Sequence, residues 1–131
     1  MDHQSKDSAK FSLIKRAKSF THAFRGLNIL FKSTHNAWIH VVVFVIVVLL
    51  GKLFYITHIE WALILLASGF VFSAEAFNTA IEIDIDLTSP EYHPYARDTK
   101  DVAAGAVLIA SITAILVGIC VFGSHVISFL R

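Results

Sequence analysis

Apolar residues gather into three long runs separated by short polar stretches. The first extends from about Ala37 to Ile56 and is broken only by Lys52 near its end, the second is Trp61 to Ile81, and the third is Val102 to about Phe122. Each approaches the roughly 20 residues that carry a helix across hydrocarbon. None shows the strict alternation or turn punctuation of a barrel strand, and a spanning segment must satisfy its own backbone. The runs therefore predict transmembrane helices over 37–56, 61–81 and 102–122. Upstream the pattern changes. Leu13, Ile14, Ala17, Phe20, Phe24, Leu27 and Phe31 recur at helical spacing, with Lys15, Arg16, Lys18, Arg25 and Lys32 between them. This predicts a basic amphipathic helix over 11–32 lying in the membrane interface; a soluble helix packed on a partner is the other reading. Residues 1–9 are polar and expected to be flexible. Gly26 is expected to mark a bend, and Ser33-Thr34-His35-Asn36 a polar turn before the first span. Pro90 and Pro94 place the end of the second apolar helix near Thr88. The third is expected to start between Asp98 and Asp101, where acids suit a first turn. Lys100 there opposes the helix dipole and is expected to neutralise another group.

Composition narrows this to one all-α membrane domain, for 56% of the 131 residues are hydrophobic. Seven of the eleven Lys and Arg residues (Lys6, Lys10, Lys15, Arg16, Lys18, Arg25 and Lys32) precede the first span. The positive-inside tendency then puts the N-terminus in the cytoplasm. Three spans place the Lys52–Glu60 turn outside, the Glu82–Asp101 loop inside and the C-terminus outside. No cleavable signal peptide is expected, since a long polar segment precedes the first apolar run. Cys120 is the single cysteine, so no intrachain disulfide forms. Trp38, Tyr55 and Trp61 fall at span ends, as interfacial anchors do.

The second apolar run carries the chemistry. Glu75, Asn78, Thr79 and Glu82 recur at i, i+3/i+4 and i+7, one stripe on one helix face, and Asp86 continues it towards the polar loop. A carboxylate in hydrocarbon costs roughly 2.5–3.5 kcal/mol on insertion scales, so the stripe reads as a site rather than as helix glue. Under the topology above it opens to the cytoplasm. Phosphoryl transfer asks for positioning, charge neutralisation and a group that takes the acceptor's proton. Glu75, Glu82 and Lys100 are residue types able to meet these needs, with Lys100 a mobile positive charge for phosphates and Glu82 a ligand for Mg²⁺. No P-loop and no Gly-x-Gly-x-x-Gly occurs, so no conventional ATP-binding fold is expected.

The run Glu75-Ala-Phe-Asn78-Thr79-Ala80-Ile81-Glu82, followed about eighteen residues later by Lys100-Asp101 and then Gly105-Ala106-Val107, resembles the prokaryotic diacylglycerol kinase family, which includes undecaprenol kinases. The likeness takes in the basic lead, the Arg25-Gly26-Leu27 step, three spans and the Pro90-Glu91-Tyr92-His93 loop. It implies a homotrimeric enzyme of the bacterial cytoplasmic (inner) membrane that moves the ATP γ-phosphate to the hydroxyl of a lipid alcohol, diacylglycerol or undecaprenol, with Mg²⁺. Carried over by position, Glu75 resembles the general base and Glu82 the metal-liganding carboxylate. Asn78 resembles a polar group supporting that site, and Lys100 the phosphate-contacting lysine with Asp101 beside it. Asp86, Tyr92 and His93 match the nucleotide side. One position departs from the pattern: Thr34 stands where the family usually has a second metal-liganding glutamate. Loop and Asn36–His40 residues lean slightly towards the undecaprenol branch.

Other features point nowhere new. His35 and His40 are five apart and no His-x-x-x-His pair occurs, so no transition-metal site is expected. Nor is a nucleic-acid partner. Asp84 lies opposite Glu75 and Glu82 and is expected to be solvated. Gly105, Ala106 and Ala110 look like a close helix-packing surface, which the resemblance would place in a trimer core. The rival reading is a non-enzymatic membrane protein using Glu75 and Glu82 as a proton or cation relay, which leaves Lys100-Asp101 and the basic lead unexplained.

Overall fold

The computed structural model describes residues 13–131, so the expected flexible stretch 1–9 and the first turn from Phe11 lie outside the described residues. Four helices follow one another: α1 (Leu13–Ser33), α2 (His35–Leu53), α3 (His58–Thr88) and α4 (Pro94–Phe129). No strand occurs among the described residues, and the protein is all-α. α2, α3 and α4 are each long and apolar enough to cross a membrane. At about 1.5 Å per residue, the 31 residues of α3 and the 36 of α4 reach roughly 46 and 54 Å, beyond a hydrocarbon core of about 30 Å. Their polar ends therefore project past it.

α3 and α4 form an antiparallel hairpin, the most extensive helix pairing in the chain. Small side chains bring them close: Ala103 and Ala110 on α4 are buried, Ala110 completely. Without a hydrophobic drive between helices in lipid, close backbone approach is what holds such pairs. Of the expected packing surface Gly105, Ala106 and Ala110, only Ala110 is buried within the chain.

The α2–α3 turn is closed by backbone geometry. Ile56 N–H donates to Gly51 O at 3.2 Å and Tyr55 N–H to Lys52 O at 3.4 Å, the pairing of a Schellman cap. The residue after the cap must take positive φ, and here it is Tyr55 at 52°, not glycine. Gly51 is needed for a different reason. A Cβ there would lie 2.7 Å from the Trp61 ring, which covers it. Thr57 starts α3 with a capping box: Thr57 N–H donates to Glu60 Oε2 at 2.7 Å, and Glu60 N–H to Thr57 Oγ1 at 3.3 Å. The other oxygen of Glu60 meets His125 Nε2 at 3.2 Å, and the Phe54 ring stacks on His125. The turn is thereby fastened to the end of α4.

At the opposite end two expectations change. α1 runs through Gly26 without a break, since one glycine inside a helix costs only about 1 kcal/mol. Thr34 alone separates α1 from α2, and Trp38 Nε1 donates back to Phe31 O at 2.9 Å across that junction. α4 begins at Pro94, ahead of the acids at Asp98 and Asp101. Proline fits the first helical position, and His93 caps it by accepting the Tyr95 N–H at 3.3 Å.

Tyr55 is 90% exposed, so its ring adds little packing while its backbone bears a left-handed strain of about 1–2 kcal/mol. Tyr55→Gly is expected to raise stability by about 1 kcal/mol. Reversible unfolding of the detergent-solubilised protein measures this, and a lower midpoint would show that the ring holds the turn.

Candidate functional site

The polar stripe lies on α3 near the end where α1 joins α2 and α4 begins. Glu75, Asn78 and Thr79 are buried, Glu82 is half-buried and Asp86 is exposed. Burial thus falls off along the stripe towards the α3–α4 loop. Glu75 is 1% exposed, the largest fully buried side chain among the described residues, and neither of its carboxylate oxygens has a hydrogen-bond partner among them. Asn78 Oδ1 is buried and unpartnered as well. Buried polar atoms without partners are costly, by roughly 1–3 kcal/mol each, and in a folded protein they call for an explanation. Here three acceptors converge on one helix face with no donor to meet them. A hydroxyl group would supply one.

One turn further, Asn78 Nδ2 donates to Glu82 Oε1 at 3.1 Å, which fixes the carboxylate against its own helix. Thr79 turns its Oγ1 back to donate to Glu75 O at 2.9 Å, a bond to the backbone rather than to the Glu75 side chain. Beyond Glu82, Asp86 Oδ1 accepts from Lys100 Nζ at 2.8 Å, joining α3 to α4 across the loop. This is the group that Lys100 neutralises. Both side chains keep substantial exposure, 37% for Lys100 and 69% for Asp86.

The remaining sequence-selected residues lie further out. Asp101 is exposed and pairs with Arg97 one turn earlier, at 3.6 Å. Tyr92 is exposed on the loop, and His93 serves as the α4 cap. Thr34 forms no side-chain cap on α2; its Oγ1 donates to Leu30 O at 3.4 Å. Asp84 is exposed, but it also lines a groove between α1 and α3 that has no signature in the residue pattern. Gly26, Leu27 and Leu30 form one wall of this cavity of about 490 Å³, and Ala76, Thr79 and Ile83 the other. Its lining is almost wholly apolar, and at Thr79 it adjoins the stripe.

Known proteins decide the family. The family model for prokaryotic diacylglycerol kinase matches residues 21–122. The chain belongs to that family. An undecaprenol kinase of Bacillus subtilis is 38% identical over 105 residues, covering 80% of this chain and 85% of its own length. A diacylglycerol kinase of Synechocystis is 38% identical over 125 residues, covering 88% and 71%. One from Helicobacter pylori is 33% identical over 110 residues, covering 78% and 85%. The protein is a lipid kinase and a multi-pass membrane protein, and the relay reading falls away.

Glu75 is held at a cost to the fold. Glu75→Leu, which fills a similar volume without leaving polar atoms unpaired, is expected to stabilise the protein by about 1–3 kcal/mol while removing activity. Thermal unfolding in detergent beside a phosphorylation assay reads both. A destabilised Glu75→Leu would mean that the carboxylate is tied into the fold.

Proposed function

We propose that this lipid kinase transfers the γ-phosphate of ATP to the hydroxyl of a membrane lipid alcohol, undecaprenol or diacylglycerol, giving undecaprenyl phosphate or phosphatidic acid. The observation that carries the reading is the buried, unpartnered Glu75 carboxylate beside an apolar groove. The groove suits a lipid chain, and its wall includes Ala76 and Thr79, helix neighbours of Glu75. The lipid hydroxyl donates to Glu75, which orients the oxygen and takes its proton as that oxygen bonds to the γ-phosphorus and the bond to ADP breaks. Because phosphoryl transfer needs little covalent help from protein, placing the hydroxyl and neutralising the phosphates are the main tasks. Lys100 serves the phosphates, with Asp86, Asp101, Asn78, Tyr92 and His93 on the nucleotide side.

The side chains fit a magnesium ion that arrives with the nucleotide. Among the described residues no three His, Cys, Asp or Glu side chains gather to hold a metal. Mg²⁺ keeps several waters and commonly takes one or two carboxylates together with substrate phosphates. Glu82 would be its carboxylate, and the bound ion would offset phosphate charge. Thr34 offers only a neutral hydroxyl where the family pattern has an acid, so the phosphates would have to offset more of the ion's charge.

We place the N-terminus, the stripe and the α3–α4 loop on the cytoplasmic face of the bacterial inner membrane, where ATP is. The basic residues ahead of α2 support this. α1 lies in the interface: Phe20 and Phe24 are exposed within the chain, between Lys18, Arg25 and Lys32. Wide apolar exposure along α2, α3 and α4 leaves ample surface for the homotrimer of the family pattern.

Purified protein given radiolabelled ATP and Mg²⁺ should label undecaprenol, diacylglycerol or both, and failure with every lipid alcohol would end the proposal. Glu75→Gln should lower the rate by at least about 10²-fold, the range general-base catalysis commands, with assembly intact. Activity within about tenfold of wild type would remove Glu75 from that role.

Orientation has its own check. A cysteine placed at Thr99 should react with an impermeant reagent only from the cytoplasmic side, and one at Thr57 only from the other. The reverse pattern would put the stripe out of reach of ATP.

A further inference from the structure

The two cations of the first turns of α4 are already paired. Arg97 pairs with Asp101 on α4 itself, whereas Lys100 reaches across the loop to Asp86 on α3, fourteen positions away in sequence. Glu82, one turn from Asp86 on the same helix, is close enough to add to the negative field at the ammonium. Lys100 can therefore meet a phosphate only by leaving a carboxylate.

Building on the proposed nucleotide reading, we propose that Asp86 is an exchangeable counter-ion for Lys100. It holds the ammonium between α3 and α4 until polyphosphate takes its place. Three features support the exchange. The pair is exposed, and an ion pair of that kind is worth about 0–1 kcal/mol, too little to retain the lysine against a ligand of several charges. The lysine head is a compact charge with three donors on a flexible stem, so it can leave one acceptor for another without moving the backbone. Asp86 also sits near the end of α3, where release of its side chain disturbs no packed neighbour. Asp86 therefore competes with the phosphates for Lys100 while keeping that side chain from wandering into solvent. It acts on the nucleotide through Lys100, as a positioning residue.

A double-mutant cycle on the full-length protein in detergent tests this. The probe is magnesium tripolyphosphate, read by its displacement of a fluorescent trinitrophenyl-ATP. Asp86→Asn should tighten tripolyphosphate binding by up to about fivefold, the share set by an exposed pair. Lys100→Ala should weaken it, and Asp86→Glu, which keeps the carboxylate, should return it to the wild-type value. In the Lys100→Ala background the gain from Asp86→Asn should shrink, because no competition remains to be relieved. A gain undiminished in that background would reduce Asp86 to simple repulsion and overturn the exchange. Weaker binding in Asp86→Asn, with the thermal midpoint unchanged, would make Asp86 a direct ligand contact and overturn it too. If Lys100→Ala left binding untouched, the phosphate role of Lys100 would fail, and the exchange with it.

Discussion

A buried carboxylate to which no side chain or backbone group among the described residues donates is the constraint around which this molecule is arranged. Glu75 sits in that condition because α3 carries it into the contact with its neighbouring helices, and close approach is how helices associate in lipid. The surrounding choices follow. α4 approaches α3 on alanines, α1 folds back beside α3 to leave a groove, and α2 joins α1 through a single residue. The stripe then grades from an orphaned buried acid, through an acid held by an amide, to an exposed acid holding a lysine. One helix face thus carries a buried carboxylate at depth and an exposed ion pair at the surface.

Much of this was legible in the chain. Apolar runs of about twenty residues imply helices because the backbone has no other partner in hydrocarbon, and α2, α3 and α4 are the result. The i, i+3/i+4, i+7 spacing put Glu75, Asn78 and Glu82 on one face, and the Asn78–Glu82 hydrogen bond is that spacing made concrete. Contacts between elements were harder to see. With α4 starting at Pro94, Lys100 lies past the first turn and clear of the helix dipole, and its partner Asp86 depends on how α4 returns against α3. The α1–α3 groove likewise has no local signature, since apolar residues lining a cavity read like any others. His125 and Glu60 are 65 positions apart and meet only because the hairpin closes. Local signals misled where a context-free rule was applied to one position, as with a helix start at the acids rather than at Pro94.

The two ends of the hairpin are built on different principles. At the α2–α3 turn, a Schellman cap, a capping box and the Phe54–His125 stack lock the chain with short bonds and aromatic contact. At the other end the connections are a single residue, an exposed ion pair and a proline-bounded loop. Short bonds and ring contacts are thus concentrated at the end away from the polar stripe.

The junction at Thr34 has a mechanical consequence. With one residue between α1 and α2, and the Trp38–Phe31 hydrogen bond bracing the step, the two helices behave as an angled lever rather than as beads on a string. A thicker or thinner bilayer alters the tilt of a spanning helix. Any such tilt of α2 must swing α1 across α3, widening or narrowing the slot beside Thr79. Bilayer thickness thereby becomes coupled to the width of that slot.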